Sequence, residues 1–461
     1  MRSAGEGARA FVLALLACTA CHPDGAARSR TVTIRSCHYQ VELSANGLAL
    51  VDAKCEADGP VTFRVAESKV VASVSSRVPG QAGQFRSPNQ RLSYRVDLAQ
   101  LAGAGHDFDR AARVGASFIG TMSSVLLVPE PLTTEIPVTV QVTAPPGVDV
   151  AVGLAQGTSP QGYRLMAHEI PVATYFAFGK LEQRTLDIDG ARLEVTRLDS
   201  SLDRSFDELN AWIAKSADAV HDFYGAFPVP RASVMLLPVP GRDGVVFGKV
   251  LPESEPAVAL LVGQHAPTKA LYSDWILVHE LFHLGFPSFF DEGKWLDEGL
   301  ATYYEPIIRV RAGLYTEAEL WKELAASMPQ GLQAFERQGL EHATDFRGIY
   351  WGGAIACLVA DVEARKRDVK RGLEVGLRAL RDSGANACEV WSLADTIGTI
   401  DKALGAPTLA PIAAAHARRG SAFDLQALLR DLGVSVNANG SVKLSDDAPL
   451  AAVRRAITVP P

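Results

Sequence analysis

The hydrophobic pattern of the chain changes its period at Leu202, and one kind of secondary structure cannot satisfy both halves. Residues 31 to about 198 carry short alternating or β-branched runs (31–34, 61–65, 136–142, 186–195) broken by Gly, Pro and Asn turns, which predicts a β-rich domain. Beyond that point Phe206, Leu209, Ile213, Ala217, Val220 and Tyr224 recur at helical spacing, with Asp203 placed to cap the start. Strand-like runs at 232–238 and 257–262 then flank the glycine-containing stretch 241–248. After Gly313 almost everything reads as helix, at 317–328, 350–366, 369–383 and 393–404. The expected architecture is multidomain α+β: a β-rich N-terminal domain over 31–200, a mixed domain over 201–315, and a helical C-terminal region over 316–461. A length of 461 residues agrees, because it exceeds the size at which a single core keeps growing.

With 48% hydrophobic residues, 21% charged residues and a net charge of −7, the chain has an ordinary globular composition and no basic stripe. Nucleic acid is therefore not an expected partner. Arg2 and Arg9 precede the apolar run 10–17, which is too short to span a bilayer and fits the apolar core of a signal peptide, so export is expected. Leu15-Leu16-Ala17-Cys18 resembles a bacterial lipobox, which implies a signal peptide over 1–18, lipid on Cys18, and an envelope protein held to the membrane by its N-terminus alone. Ordinary cleavage after Ala20, giving a secreted or periplasmic protein, is the alternative. Residues 19–30 then read as a tether. Beyond Cys18 and Cys21, Cys37 with Cys55 and Cys357 with Cys388 form an even set that suggests two local disulfides, against the alternative of four buried thiols.

The residues with the most specific chemistry are His279-Glu280-Leu281-Phe282-His283, followed by the helix stops Gly285 and Pro287. Histidines four apart share one helix face, so both rings can converge on one zinc ion while Glu280 leans toward its open position. Two surface histidines are the plain alternative. The framing Leu, Val, Phe and Trp residues argue against it, because buried polar groups need partners and a metal supplies one.

A structural fit of this kind needs a third protein ligand. The segment Trp295-Leu-Asp-Glu-Gly-Leu-Ala-Thr-Tyr-Tyr-Glu305 resembles the Trp-Leu-Asn-Glu-Gly signature of the gluzincins, which include thermolysin-like, M1 aminopeptidase-like and M61 glycyl-aminopeptidase-like enzymes. The resemblance implies a thermolysin-like zinc domain with Glu298 as third ligand. The fourteen residues between His283 and Glu298 are fewer than the M1 family places there, so the intervening loop must be shorter, and Asp291 and Glu292 within it are rival ligands. Glu305, two turns beyond Glu298 on the same face, is expected to hold the ring N–H of a zinc histidine, with a solvated carboxylate as the alternative. Tyr350, in Tyr350-Trp-Gly-Gly-Ala, resembles the M1 tyrosine that stabilises the tetrahedral intermediate; an aromatic anchor between helices is its other reading.

One M1 feature is missing. The Gly-x-Met-Glu-Asn segment that grips a substrate amine has no counterpart in 244–255, although residues 245–250 could still pair with an extended peptide through their backbone, and Glu253 or Glu255 could replace the amine anchor. The expected activity is that of an exported zinc metallopeptidase acting on a peptide or protein, with Glu280 as general base. A degenerate peptidase fold serving as a binding or structural envelope protein, and a zinc hydrolase of non-peptide amides or esters, are the competing readings.

Overall fold

The computed structural model describes residues 32–103, 107–132, 135–159, 161–199, 201–290, 292–437 and 440–459. The signal peptide, Cys18, Cys21, the tether to residue 30 and Asp291 lie outside the described residues.

The N-terminal part is β-rich, as expected. Strands β1 (Ile34–Leu43) and β2 (Leu48–Ala57) pair antiparallel inside a seven-stranded sheet, and β3 (Pro137–Thr143) pairs parallel to β1 on its other side. Tyr39, Val41, Val51 and Val140 alternate inward and join Phe63 and Phe176, from two four-stranded sheets, in one core. In the β1–β2 register Cys37 stands directly opposite Cys55, and the two are joined by a disulfide. The other expected pair is corrected. Cys357 is buried and Cys388 exposed, and both are free thiols, since an even count in the sequence says nothing about whether two elements bring their cysteines together.

A separate sheet has five strands: β4 (Glu182–Ile188), β5 (Ala191–Arg197), β6 (Arg231–Val239), β7 (Val245–Leu251) and β8 (Ala257–Gly263), in the order β4-β5-β6-β8-β7. The hairpin β4–β5 turns at Asp189 and Gly190, both at positive φ, and pairs with β6 rather than with the N-terminal sheets. The hairpin thus belongs to the five-stranded sheet, and strand periodicity alone does not reveal which sheet a strand joins. Between the parallel strands β5 and β6 runs α1 (Phe206–Tyr224), burying Leu209, Trp212, Ile213 and Val220. Its cap is Ser205, in a capping box with Glu208, whereas Asp203 pairs with His265. Strands β6 and β8 are buried on both faces and read as apolar runs, while β7 lies antiparallel at the sheet edge with half-buried residues.

Helices α2 (Ile276–His283), α3 (Lys294–Arg311) and α4 (Gly353–Arg367) pack beyond this sheet, and the remainder of the chain is mostly helical. Helices α3 and α4 touch backbone to backbone: a Cβ on Gly299 would lie 2.5 Å from Gly353 Cα, and one on Gly353 would lie 2.0 Å from the Trp295 carbonyl oxygen.

Candidate metal centre and cleft

Helix α2 starts at Ile276, with the Asp274 carboxylate accepting the Leu277 N–H at 3.1 Å. It ends at His283, so both histidines fall in its last two turns, where the chain reverses through a ten-residue connection, 284–293, into α3. That return sets the first turn of α3 against the end of α2 and delivers Asp297 and Glu298 to the histidines.

Glu298 Oε2 lies 3.3 Å from His279 Nε2 and 3.6 Å from His283 Nε2. These three residues are the group that could hold a metal among the described residues. Zinc bonds to nitrogen and oxygen of about 2.0–2.1 Å, spread tetrahedrally, put neighbouring ligand atoms about 3.3 Å apart. The two separations match that spacing, so the donor set fits zinc in type and in the placing of Glu298 against both histidines. Of the rival ligands, Glu292 is instead on the cleft wall, 3.9 Å from Arg418.

Burial pushes the Glu298 carboxyl up, but its hydrogen bonds and charge interactions with both histidines outweigh this and hold it far below the usual carboxylate range. Burial pushes His283 down, yet Asp297 and Glu298 outweigh it and the net shift is well upward. A proton and a metal compete for the same histidine lone pair, so binding a metal there is coupled to proton release. His283 Nδ1 donates to Asp297 Oδ1 at 2.8 Å, which leaves Nε2 turned to the metal position. Asp297 was not among the residues singled out from the sequence, although it stands where the gluzincin signature has Asn.

Glu280 is half-buried between α2 and β7, where its Oε2 accepts the Val250 N–H at 3.0 Å. Burial raises its carboxyl, opposed by the charges of His279 and His283. A Cβ on Gly248 would lie 2.8 Å from Glu280 Cγ, so a side chain there would push the carboxylate aside. Tyr350 occupies a wide helical turn (Arg347–Gly352) just before α4, rather than opening the helix itself. Its ring lies parallel to His279, centroids 5.7 Å apart, and burial together with the Glu298 charge raises its hydroxyl far above normal, keeping it a neutral donor.

Glu305 differs from expectation. Both its oxygens are taken by Arg309, at 2.7 and 3.1 Å, and it makes no hydrogen bond to either histidine.

Glu280, His283, Glu298 and Tyr350 share one cleft of about 810 Å³, walled by β7 on one side. The N-terminal part reaches into it. Phe108 packs edge-on against Phe247, and Asp109 accepts from Lys249 at 2.6 Å and from the Tyr175 hydroxyl at 2.7 Å. Nothing in the local sequence marks these residues, because only the packing of the two sheet systems brings them here. Glu253 and Glu255 do not line the cleft, and Glu255 faces Arg231 at 3.3 Å.

No protein family profile and no curated protein matches the sequence. Solved structures do. An aminopeptidase N family protein from Idiomarina loihiensis is 15% identical with a TM-score of 0.65, over 87% of this chain and 79% of that one. A two-domain M1 zinc metallopeptidase mutant bound to L-arginine is 14% identical with a TM-score of 0.51, over 85% of this chain and 96% of that one. An M1 zinc metallopeptidase from Deinococcus radiodurans gives 15% and 0.50, over 86% and 95%. The fold is therefore that of the M1 zinc metallopeptidases, with a β-rich N-terminal part and a helical C-terminal part, and it is a fold in which zinc peptidases are built.

Proposed function

We propose that this chain is a zinc-dependent peptidase whose metal is held by His279, His283 and Glu298 and whose general base is Glu280. The observation that carries the reading is the convergence of both Nε2 atoms on one Glu298 oxygen, at 3.3 and 3.6 Å, in a cleft that also holds Glu280. Zinc bound there supplies Lewis acidity toward water and the scissile carbonyl. Glu280 takes the proton of the attacking water and returns it to the departing amine, and its raised affinity for a proton suits both halves of that task. Tyr350 offers its hydroxyl to the carbonyl oxygen as negative charge develops. The open edge of β7 aligns an extended peptide by strand addition.

We read the activity as cutting within a chain rather than trimming a free amino terminus, on the following support. Asp109 is engaged by Lys249 and Tyr175, and the residues that could have replaced the amine anchor lie elsewhere. We also propose that the N-terminal segment directs export and that Cys18 carries lipid, on the strength of the apolar run and the lipobox alone; fractionation and the mass of the mature terminus test this.

The deciding experiment is zinc analysis of purified protein together with a library of peptides, half with free and half with acetylated amino termini. One bound zinc and cleavage of the acetylated set are expected. A zinc-loaded protein that cleaves no peptide would sink the peptidase reading, and cleavage confined to free termini would reverse the endopeptidase reading.

A further inference from the structure

A second cavity, of about 170 Å³, borders His279 and shares only Tyr350 with the cleft. Thr302 and Glu305 from α3, with Glu323 and Trp275, complete the walls the argument needs. His279, Thr302 and Glu305 are 2%, 7% and 3% exposed. Two polar atoms here are buried without a hydrogen-bond partner among the described residues: His279 Nδ1 and Thr302 Oγ1.

The two orphans are chemically matched. A histidine that binds metal through Nε2 carries its proton on Nδ1, so this atom must donate. His283 solves the same problem directly, through Asp297, but no acceptor among the described residues reaches His279 Nδ1. Glu305 holds Arg309 with both oxygens, yet each oxygen keeps a second lone pair. At about 30 Å³ per molecule the cavity has room for several waters, and although Trp275, Phe346 and Trp351 make much of its wall apolar, His279, Thr302, Glu305 and Glu323 offer a water polar partners.

We infer that ordered water in this cavity accepts the Nδ1 proton of His279 and passes the hydrogen bonding on to Thr302 and the Glu305–Arg309 pair, making Thr302 and Glu305 positioning residues for a metal ligand. The inference rests on the metal reading above. It gives Glu305 the task expected from the sequence, carried out at a distance. It also accounts for a charged pair, Glu305 with Arg309, placed where a fully apolar filling would otherwise pack.

Thr302→Val tests it, since the shape is kept and only the hydroxyl is lost, with Thr302→Ser as the conservative control. Zinc affinity by chelator competition is expected to fall roughly tenfold or more for Val and to stay near wild type for Ser, in line with the effect of outer partners on metal sites. The unfolding midpoint of the zinc-free Val variant should drop. A dry cavity would instead let Val replace an unsatisfied hydroxyl, and the midpoint would stay or rise. High-resolution crystals, with or without zinc, should show water within hydrogen-bonding distance of both orphan atoms. A Val variant with wild-type affinity, or crystals with no water at His279 Nδ1, would overturn the inference. If wild-type protein bound no zinc, the metal reading would fail, while the water positions and the zinc-free midpoint would still decide the role of the cavity.

Discussion

Asp297 offers the sharpest test of the metal centre, because one hydrogen bond of 2.8 Å joins it to His283 and two opposed effects follow from removing it. The bond is charge-assisted and mostly shielded, with 30% of the Asp297 side chain exposed, so its loss in Asp297→Ala costs about 1.5–3 kcal/mol of ring orientation. At about 1.4 kcal/mol per tenfold, zinc affinity should weaken roughly ten- to hundredfold. The same carboxylate, however, helps to raise the proton affinity of metal-free His283, and that proton must leave before zinc binds. Below the raised pKa the wild type works against a protonated ring, and the variant less so. The ratio of dissociation constants, variant over wild type, should therefore be small near neutrality and climb to its full value as pH rises past the folded pKa. Asp297→Asn keeps an acceptor without the charge and should fall between. Competition titrations with a chelator across about pH 6 to 9 read this directly. A ratio that falls with pH, or an Ala variant equal to wild type at the alkaline end, would refute the reasoning.

Glu280→Gln should leave zinc content unchanged and abolish turnover, since the carboxylate moves protons and is not a ligand; substantial residual hydrolysis would remove it as the base. Tyr350→Phe should lower kcat roughly a hundred- to a thousandfold with zinc content and unfolding midpoint near wild type, and an unchanged kcat would return the residue to a packing role. Gly353→Ala places a methyl 2.0 Å from the Trp295 carbonyl and should cost about 1–3 kcal/mol or more in chemical denaturation; an unaltered midpoint would mean that the two helices separate freely.

What the sequence revealed depended on distance along the chain. The histidine pair is legible because helical spacing fixes which side chains share a face, and Ser205-x-x-Glu208 carries a capping-box pattern that Asp203 lacks. Asp297 was hidden by the same rule. Neighbours on a helix point about 100° apart, so an adjacent pair does not look like one site until a second helix end lies across both. For Glu305 the local signal pointed the wrong way: Arg309, one turn on, claims the carboxylate, and an i to i+4 pair is as visible in the sequence as a ligand motif. Asp109 and Phe108 left no trace, since their arrival at the cleft depends on how the N-terminal sheets dock onto the five-stranded one. Cys357 and Cys388 show the converse, a tidy count with no contact behind it.

The contact between Gly299 and Gly353 bears on how such a chain can change over generations. Gly299 follows Glu298 directly, and Gly353 lies three residues after Tyr350, so the separation of the two backbones at this seam sets the spacing of two of the proposed site residues. Neither glycine can acquire a side chain while the other backbone stays in place, and a substitution at one cannot be rescued by trimming the other, which has nothing left to trim. Drift at this seam is therefore arrested at both positions together. In a set of relatives that keep the crossing, the two glycines should be retained or lost as a pair, and chains that have lost them should also have lost the tyrosine or moved it.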